Sequence, residues 1–178
     1  MFRPLFAAAL FAALPLAAHA GPEAEAVIEQ AARDIFDPVD GEKAFTGTID
    51  VPTVARFSLG KHARRISADE EARFTDAFRH YLANTYRSNV DKFDNVDVIV
   101  VGSIDRSPTD SIVETRIRPE GKEAMTVRWR VIARDGEWRV VDVEFLGLWL
   151  AIEQRAQIAA ILDRPRATIE DAIAALQS

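Results

Sequence analysis

TVRWRVIARDGEWRVVDVEFLGLWLAIEQR (residues 126–155) decides the fold. Met125, Val127, Trp129, Val131 and Ala133 alternate with Thr126, Arg128, Arg130 and Arg134, which describes a strand with one apolar and one wet face. Asp135-Gly136 is a tight hairpin signal, so a second strand must return beside the first. That strand breaks the pattern. Trp138 and Val140 share one parity while Val141, Val143 and Phe145 share the other, which predicts apolar residues on both faces. Either the strand is central, or one face meets something greasy other than protein. Beyond Gly147, residues 148–162 read as an amphipathic helix with Leu148, Trp149, Ile152, Ala156, Ala159 and Leu162 on one stripe.

Working outward, residues 96–104 and 111–118 read as two further strands, the second wet at Glu114, Arg116 and Arg118. With short connections they make an antiparallel meander of about four strands. Helices lie on either side. Residues 23–36 repeat apolar residues at helical spacing, and residues 39–49 read as loop. A short helix opens at Pro52 and stops at Gly60. Ser67 and Glu70 form a capping box that opens the longest helix, which carries Phe74, Phe78, Tyr81 and Leu82 along one side. Thr168 and Asp171 open a last one. The fold class is α+β, with helices packed on a curved antiparallel sheet and folded over one face to enclose a cone-shaped apolar cavity.

Residues 1–20 carry Arg3, an apolar run and Ala18-His19-Ala20, the form of a secretory signal peptide cut before Gly21. Residues 21–178 are then a single exported domain, expected in the periplasm as a soluble monomer. No later stretch approaches the roughly 20 apolar residues of a spanning helix. The net charge of −6, with arginines interleaved among carboxylates, argues against a nucleic-acid partner. There is no cysteine, which removes disulfides, thiol catalysis and thiolate metal sites.

Reactive constellations are sparse. Beyond the signal there are two histidines, His62 and His80, without metal-binding spacing or a nucleophile motif, so neither a metal nor a cofactor is expected. Asp142 and Glu144 share one face of their strand and could do acid/base work on a cone-fold enzyme. The simpler reading pairs them with arginines, and Asp142 with Arg155 is the expected structural clamp. What remains is a surplus of apolar groups suited to an apolar ligand, at about 0.8 kcal/mol per methylene removed from water. Candidate cavity residues are Phe57, Phe74, Phe78 and Tyr81 from the helices, and Val98, Val127, Trp129 and Val131 from the earlier strands. Val141, Val143, Phe145, Leu148, Trp149 and Ile152 complete the set.

The residues VARFSLGKHAR at 54–64, FTDAF at 74–78 with Tyr81 and Tyr86, GEWRVVDV at 136–143, and GLWL at 147–150 with Gln154-Arg155 resemble the MlaC family, also called toluene-tolerance or Ttg2D-like proteins. The resemblance spans nearly all of the exported chain. It implies an NTF2-like cone and a non-enzymatic carrier that shuttles phospholipid between the inner and outer membranes, with the lipid as cargo. Implied partners are an inner-membrane ABC transporter with an MCE-domain subunit and an outer-membrane lipoprotein complex. Trp149 stands where a small polar residue is usual, a departure that resembles the branch associated with hopanoid gene clusters. A hopanoid or other polycyclic lipid is therefore the alternative cargo.

Overall fold

A computed structural model describes residues 20–37, 39–90 and 96–177 of the chain. The signal-peptide stretch therefore lies outside the described residues, apart from Ala20. The elements are α1 (Ala20–Asp34), α2 (Gly41–Thr48), α3 (Val51–Leu59), a 3-10 helix (Gly60–Arg64) and α4 (Ala68–Arg87). There follow β1 (Val96–Ser107), β2 (Asp110–Pro119), β3 (Met125–Arg134), β4 (Glu137–Phe145), β5 (Leu148–Trp149), α5 (Leu150–Leu162) and α6 (Ile169–Leu176).

Local chemistry sets the helix starts. Asp50 accepts from the Thr53 amide at 3.1 Å to cap α3, and Pro52 occupies its first turn. The Ser67 and Glu70 capping box forms as the spacing predicts, with the Ser67 amide donating to Glu70 at 2.7 Å. Asp171 accepts from the Thr168 amide at 2.7 Å in the same way at α6. The stretch read as loop contains α2 instead. Its buried Gly41 lets the chain pass beneath Tyr86, whose hydroxyl donates to the Ile35 carbonyl at 2.6 Å while its ring stacks on Phe45. A Cβ at Gly41 would lie 2.2 Å from that hydroxyl and 2.4 Å from the Ile35 oxygen. Gly41→Ala should accordingly cost about 1–3 kcal/mol by overpacking, read as a lower urea midpoint at unchanged slope.

The five strands pair in sequence order, β1-β2-β3-β4-β5, all antiparallel. The expected cone of about four strands is corrected here. The sheet has five strands and is open, because β1 and β5 are not paired with each other. The fifth strand escaped the periodicity because it is two residues long and follows a turn at Leu146-Gly147 (φ 51° and 80°), where a leucine in the left-handed region is an unusual hairpin signal. The hairpin at Asp135-Gly136 has φ of 52° and 82°, as expected of its sequence.

One face of the sheet is wet. Arg128 bridges its cross-strand neighbours Glu114 at 3.0 Å and Glu144 at 3.1 Å, and Arg130 reaches Asp110 at 2.9 Å. The opposite face carries the α1 cluster, and a second apolar cluster forms among the later helices, against which Ile132, of the same parity as Arg128 and Arg130, also packs. Ala24 and Ile28 of α1 pack on Val113, Val131 and Val140, while α3 to α6 pack together around Phe74 and Phe78 and take in Val141. Ile49 touches both clusters, and its neighbour Asp50 donates its amide to the Val140 carbonyl at 2.8 Å.

Candidate functional site

The apolar residues of both parities in β4 have one cause, a β-bulge. Val127 pairs with Phe145 and Trp129 with Val143, but Val131 pairs with Val140 and Ala133 with Trp138, so Val141 is the extra residue. Cross-strand partners share a face, so the bulge brings Trp138, Val140, Val143 and Phe145 onto the helix-covered side. Val140 joins the cluster under α1, and Val141 joins the helical cluster.

A cavity of about 360 Å³ opens at the seam between these clusters. Trp129, Val140, Val141 and Val143 form its sheet wall; Phe45, Val54, Phe78, Tyr81 and Leu82 come from α2, α3 and α4, and Leu150 and Ala151 from α5. Thr85, Glu153 and Gln157 are exposed and mark its open side, with Gln154 and Asp142 half-buried. The volume lies in the range of about 300–1,000 Å³ common for small-molecule sites.

The walls are apolar because their polar atoms are engaged elsewhere. Trp129 donates Nε1–H to the Thr115 hydroxyl at 2.9 Å, and that hydroxyl donates to the Val127 carbonyl at 3.1 Å. Phe74, Phe78 and Tyr81 form an aromatic file along α4 with centroids 6.2 and 5.9 Å apart. No buried side-chain polar atom among the described residues lacks a hydrogen-bond partner.

Of the residues singled out from the sequence, Phe78, Tyr81, Trp129, Val141 and Val143 line this cavity. Phe74, Val127 and Val131 are buried and do not line it, and Phe145 is half-buried opposite Val127. Val98 lines a separate void of about 30 Å³ beneath α1, which Trp129 also borders. Leu148 and Ile152 are 54% and 52% exposed, and Trp149 is half-buried just ahead of α5. Phe57 is 40% exposed, with the Arg155 guanidinium 5.0 Å above its ring. The sequence reading missed Phe45, because its stretch read as loop. It also missed Leu150 and Ala151: α5 carries apolar residues all round, so periodicity could not select its buried face, which holds Ala151 and Ile158.

Asp142 and Arg155 do not form a clamp, and among the described residues no ion pair joins them. Asp142 instead accepts from its neighbour Val143 at 2.8 Å and from Ala151 at 2.9 Å. Ala151 is in the first turn of α5, whose own N-cap residue, Trp149, offers no capping side chain. The helix is thus capped from the adjoining strand. Burial pushes the Asp142 carboxyl above its ordinary value, against the two amide hydrogen bonds and the charge of Arg130. Folding therefore favours the protonated form, and the contribution of Asp142 to stability declines as pH rises through its folded pKa. Asp142→Asn, which keeps an acceptor oxygen, should gain stability relative to wild type as pH rises from the ordinary carboxylate range through neutrality. Asp142→Ala should lose about 1–2 kcal/mol by removing the cap, and urea midpoints followed across pH separate the two effects.

Glu144 is held by Arg128, and Asp142 is committed to capping, so the pair is not arranged for acid/base exchange. His62 meets Asp163 at 2.9 Å and His80 is exposed; neither lines the cavity. Among the described residues no cluster of His, Asp and Glu could hold a metal ion. What the geometry can do is receive apolar chains. Leu146 (79% exposed), Leu148, Leu150 and Ile152 carry apolar surface outward from the wall at Leu150.

Residues 27–178 match the family model described as MlaC protein. No curated protein sequence matches the chain. A solved structure of a phospholipid-binding protein from Ralstonia solanacearum, in complex with a phospholipid, superposes with a TM-score of 0.74 at 19% identity, over 86% of this chain and 94% of that one.

Proposed function

The chain belongs to the MlaC family, and on that premise we propose that it is a periplasmic carrier that holds phospholipid acyl chains in the cavity between β3–β4 and α2–α5. The observation that carries the reading is the cavity itself, about 360 Å³ with carbon walls from both layers of the fold. A soluble domain has little reason to keep such a space empty, since interiors are otherwise close-packed. The similarity to a fold seen with phospholipid bound supports the same cargo.

Each methylene taken from water contributes about 0.8 kcal/mol, so capture needs no specific polar contact. Work of this kind is binding and release, without bond chemistry. The headgroup stays near the open side at Thr85, Glu153 and Gln157, and the apolar lip from Leu146 to Ile152 is where chains pass in and out. In the cell the carrier is a monomer exported by its N-terminal signal peptide. It takes and delivers lipid at an inner-membrane ABC transporter bearing an MCE-domain subunit and at an outer-membrane lipoprotein complex.

The test is organic extraction of protein purified from periplasm without detergent, followed by mass spectrometry. Phospholipid near one equivalent is the expected result. Extracts that contain no lipid would overturn the proposal, and a polycyclic lipid in its place would reassign the cargo.

A further inference from the structure

Where α3, the 3-10 helix and α5 meet lies a second opening, a groove of about 370 Å³ lined by Arg56, Phe57, Gly60, Lys61, Arg64 and Arg155. It shares no lining residue with the cavity. Four of its six residues are cations on a chain of net charge −6, so this face departs sharply from the charge of the whole.

Two of the cations are compensated. Arg56 pairs with Glu71, and Lys61 meets Asp163 at 2.8 Å. The other two, Arg64 and Arg155, have no ion-pair partner among the described residues, and Glu71 and Asp163 are engaged by Arg56, Lys61 and His62. Arg155 is also held in place. Its guanidinium lies 5.0 Å over the Phe57 ring, and its Nε comes within 3.0 Å of where a Cβ would stand on Gly60. Gly60 has φ of 55°, a left-handed conformation that glycine adopts at little cost, so this position both ends α3 and leaves room for the arginine.

A planar guanidinium fixed on an aromatic ring, beside a second free guanidinium and two further cations, has the geometry that recognises a tetrahedral oxyanion with several acceptor oxygens. We propose that this groove binds the phosphoryl group of an anion, with Arg64 and Arg155 as its principal ligands. A carboxylate also fits a guanidinium fork, so polyglutamate serves as the competing anion. The proposal is independent of the cargo assigned to the cavity.

The phosphoryl group can come from an anionic lipid headgroup at a membrane surface or from free phosphate, and the experiment separates the two. Flotation with vesicles of phosphatidylcholine containing phosphatidylglycerol, at low and high salt, tests the first. Backbone amide shifts on titration with inorganic phosphate test the second. Vesicle binding that needs phosphatidylglycerol and weakens about 30-fold in R64A/R155A identifies the headgroup. Phosphate shifts confined to residues 56–64 and 155, without vesicle binding, identify the free anion. R64K/R155K should recover part of the binding, which distinguishes lost charge from lost packing. Binding to neither probe, binding indifferent to the substitutions, or binding only to polyglutamate overturns the proposal. Lipid extracted from the cavity, measured on the same preparations, should be equal in wild type and R64A/R155A. A failure of the carrier reading would empty both and leave the vesicle comparison standing.

Discussion

Phe74→Ala is expected to destabilise the protein by about 3–5 kcal/mol, a larger loss than Gly41→Ala or Asp142→Ala should produce. Phe74 is fully buried in the cluster that joins α3, α4, α5 and α6, with its ring 6.2 Å from Phe78. Truncation removes the transfer free energy of a phenyl ring and leaves a hole that four helices cannot close together. At about 2–4 °C per kcal/mol for a domain of this length, the melting temperature should fall by roughly 10 °C. Calorimetry or urea unfolding measures it directly. A loss under about 1 kcal/mol would mean that the helical layer is loosely packed and that Phe74 is not central to it.

Val143→Trp is expected to do the reverse: to leave stability near its wild-type value and empty the cavity of lipid. Val143 faces the cavity from β4, half-buried, opposite Trp129. An added ring there extends into existing space, and aromatic residues suit a strand. If the indole displaces about four methylenes of cargo, at about 0.8 kcal/mol each, lipid affinity should drop about two-hundredfold. Mass spectrometry of extracts gives the lipid, and the melting temperature gives the control. Retention of a full equivalent of lipid by a folded Val143→Trp protein would place the cargo elsewhere. Together the two substitutions separate the packed aromatic of α4 from the residues that border open space.

The aromatic file of α4 was legible in the chain as Phe74, Phe78 and Tyr81 at helical spacing, but which ring is core and which is wall was not. That depends on where α2 and α5 stop short of filling the space. Leu148, Trp149 and Ile152 read as one apolar stripe of a helix. The turn at Leu146-Gly147 places the first two in β5, and the helix that follows turns Ala151 and Ile158 inward and leaves Ile152 exposed. A helix apolar on all sides carries no periodic signal for its buried face; only the neighbouring layer selects one. Asp142 shows the same limit. Its sequence position suggested a carboxylate in search of an arginine, yet its partner is the amide of Ala151, a backbone group that no side-chain pattern announces.

By itself the sequence determined the class of the protein: antiparallel strands from period-two alternation, helix starts from Ser67 with Glu70 and Thr168 with Asp171, and a turn at Asp135-Gly136. These are local matters, settled within a few residues by backbone conformation and capping. Only the tertiary structure decided that the sheet is open with five strands, that Arg155 lies on Phe57 and not on Asp142, and that β4 is bulged. Val140 and Val143, of opposite parity in the chain, lie on one face, because the register slips by one residue at Val141. Register is a relation between two strands, and a cavity is a relation between layers, so neither can be read from one strand alone.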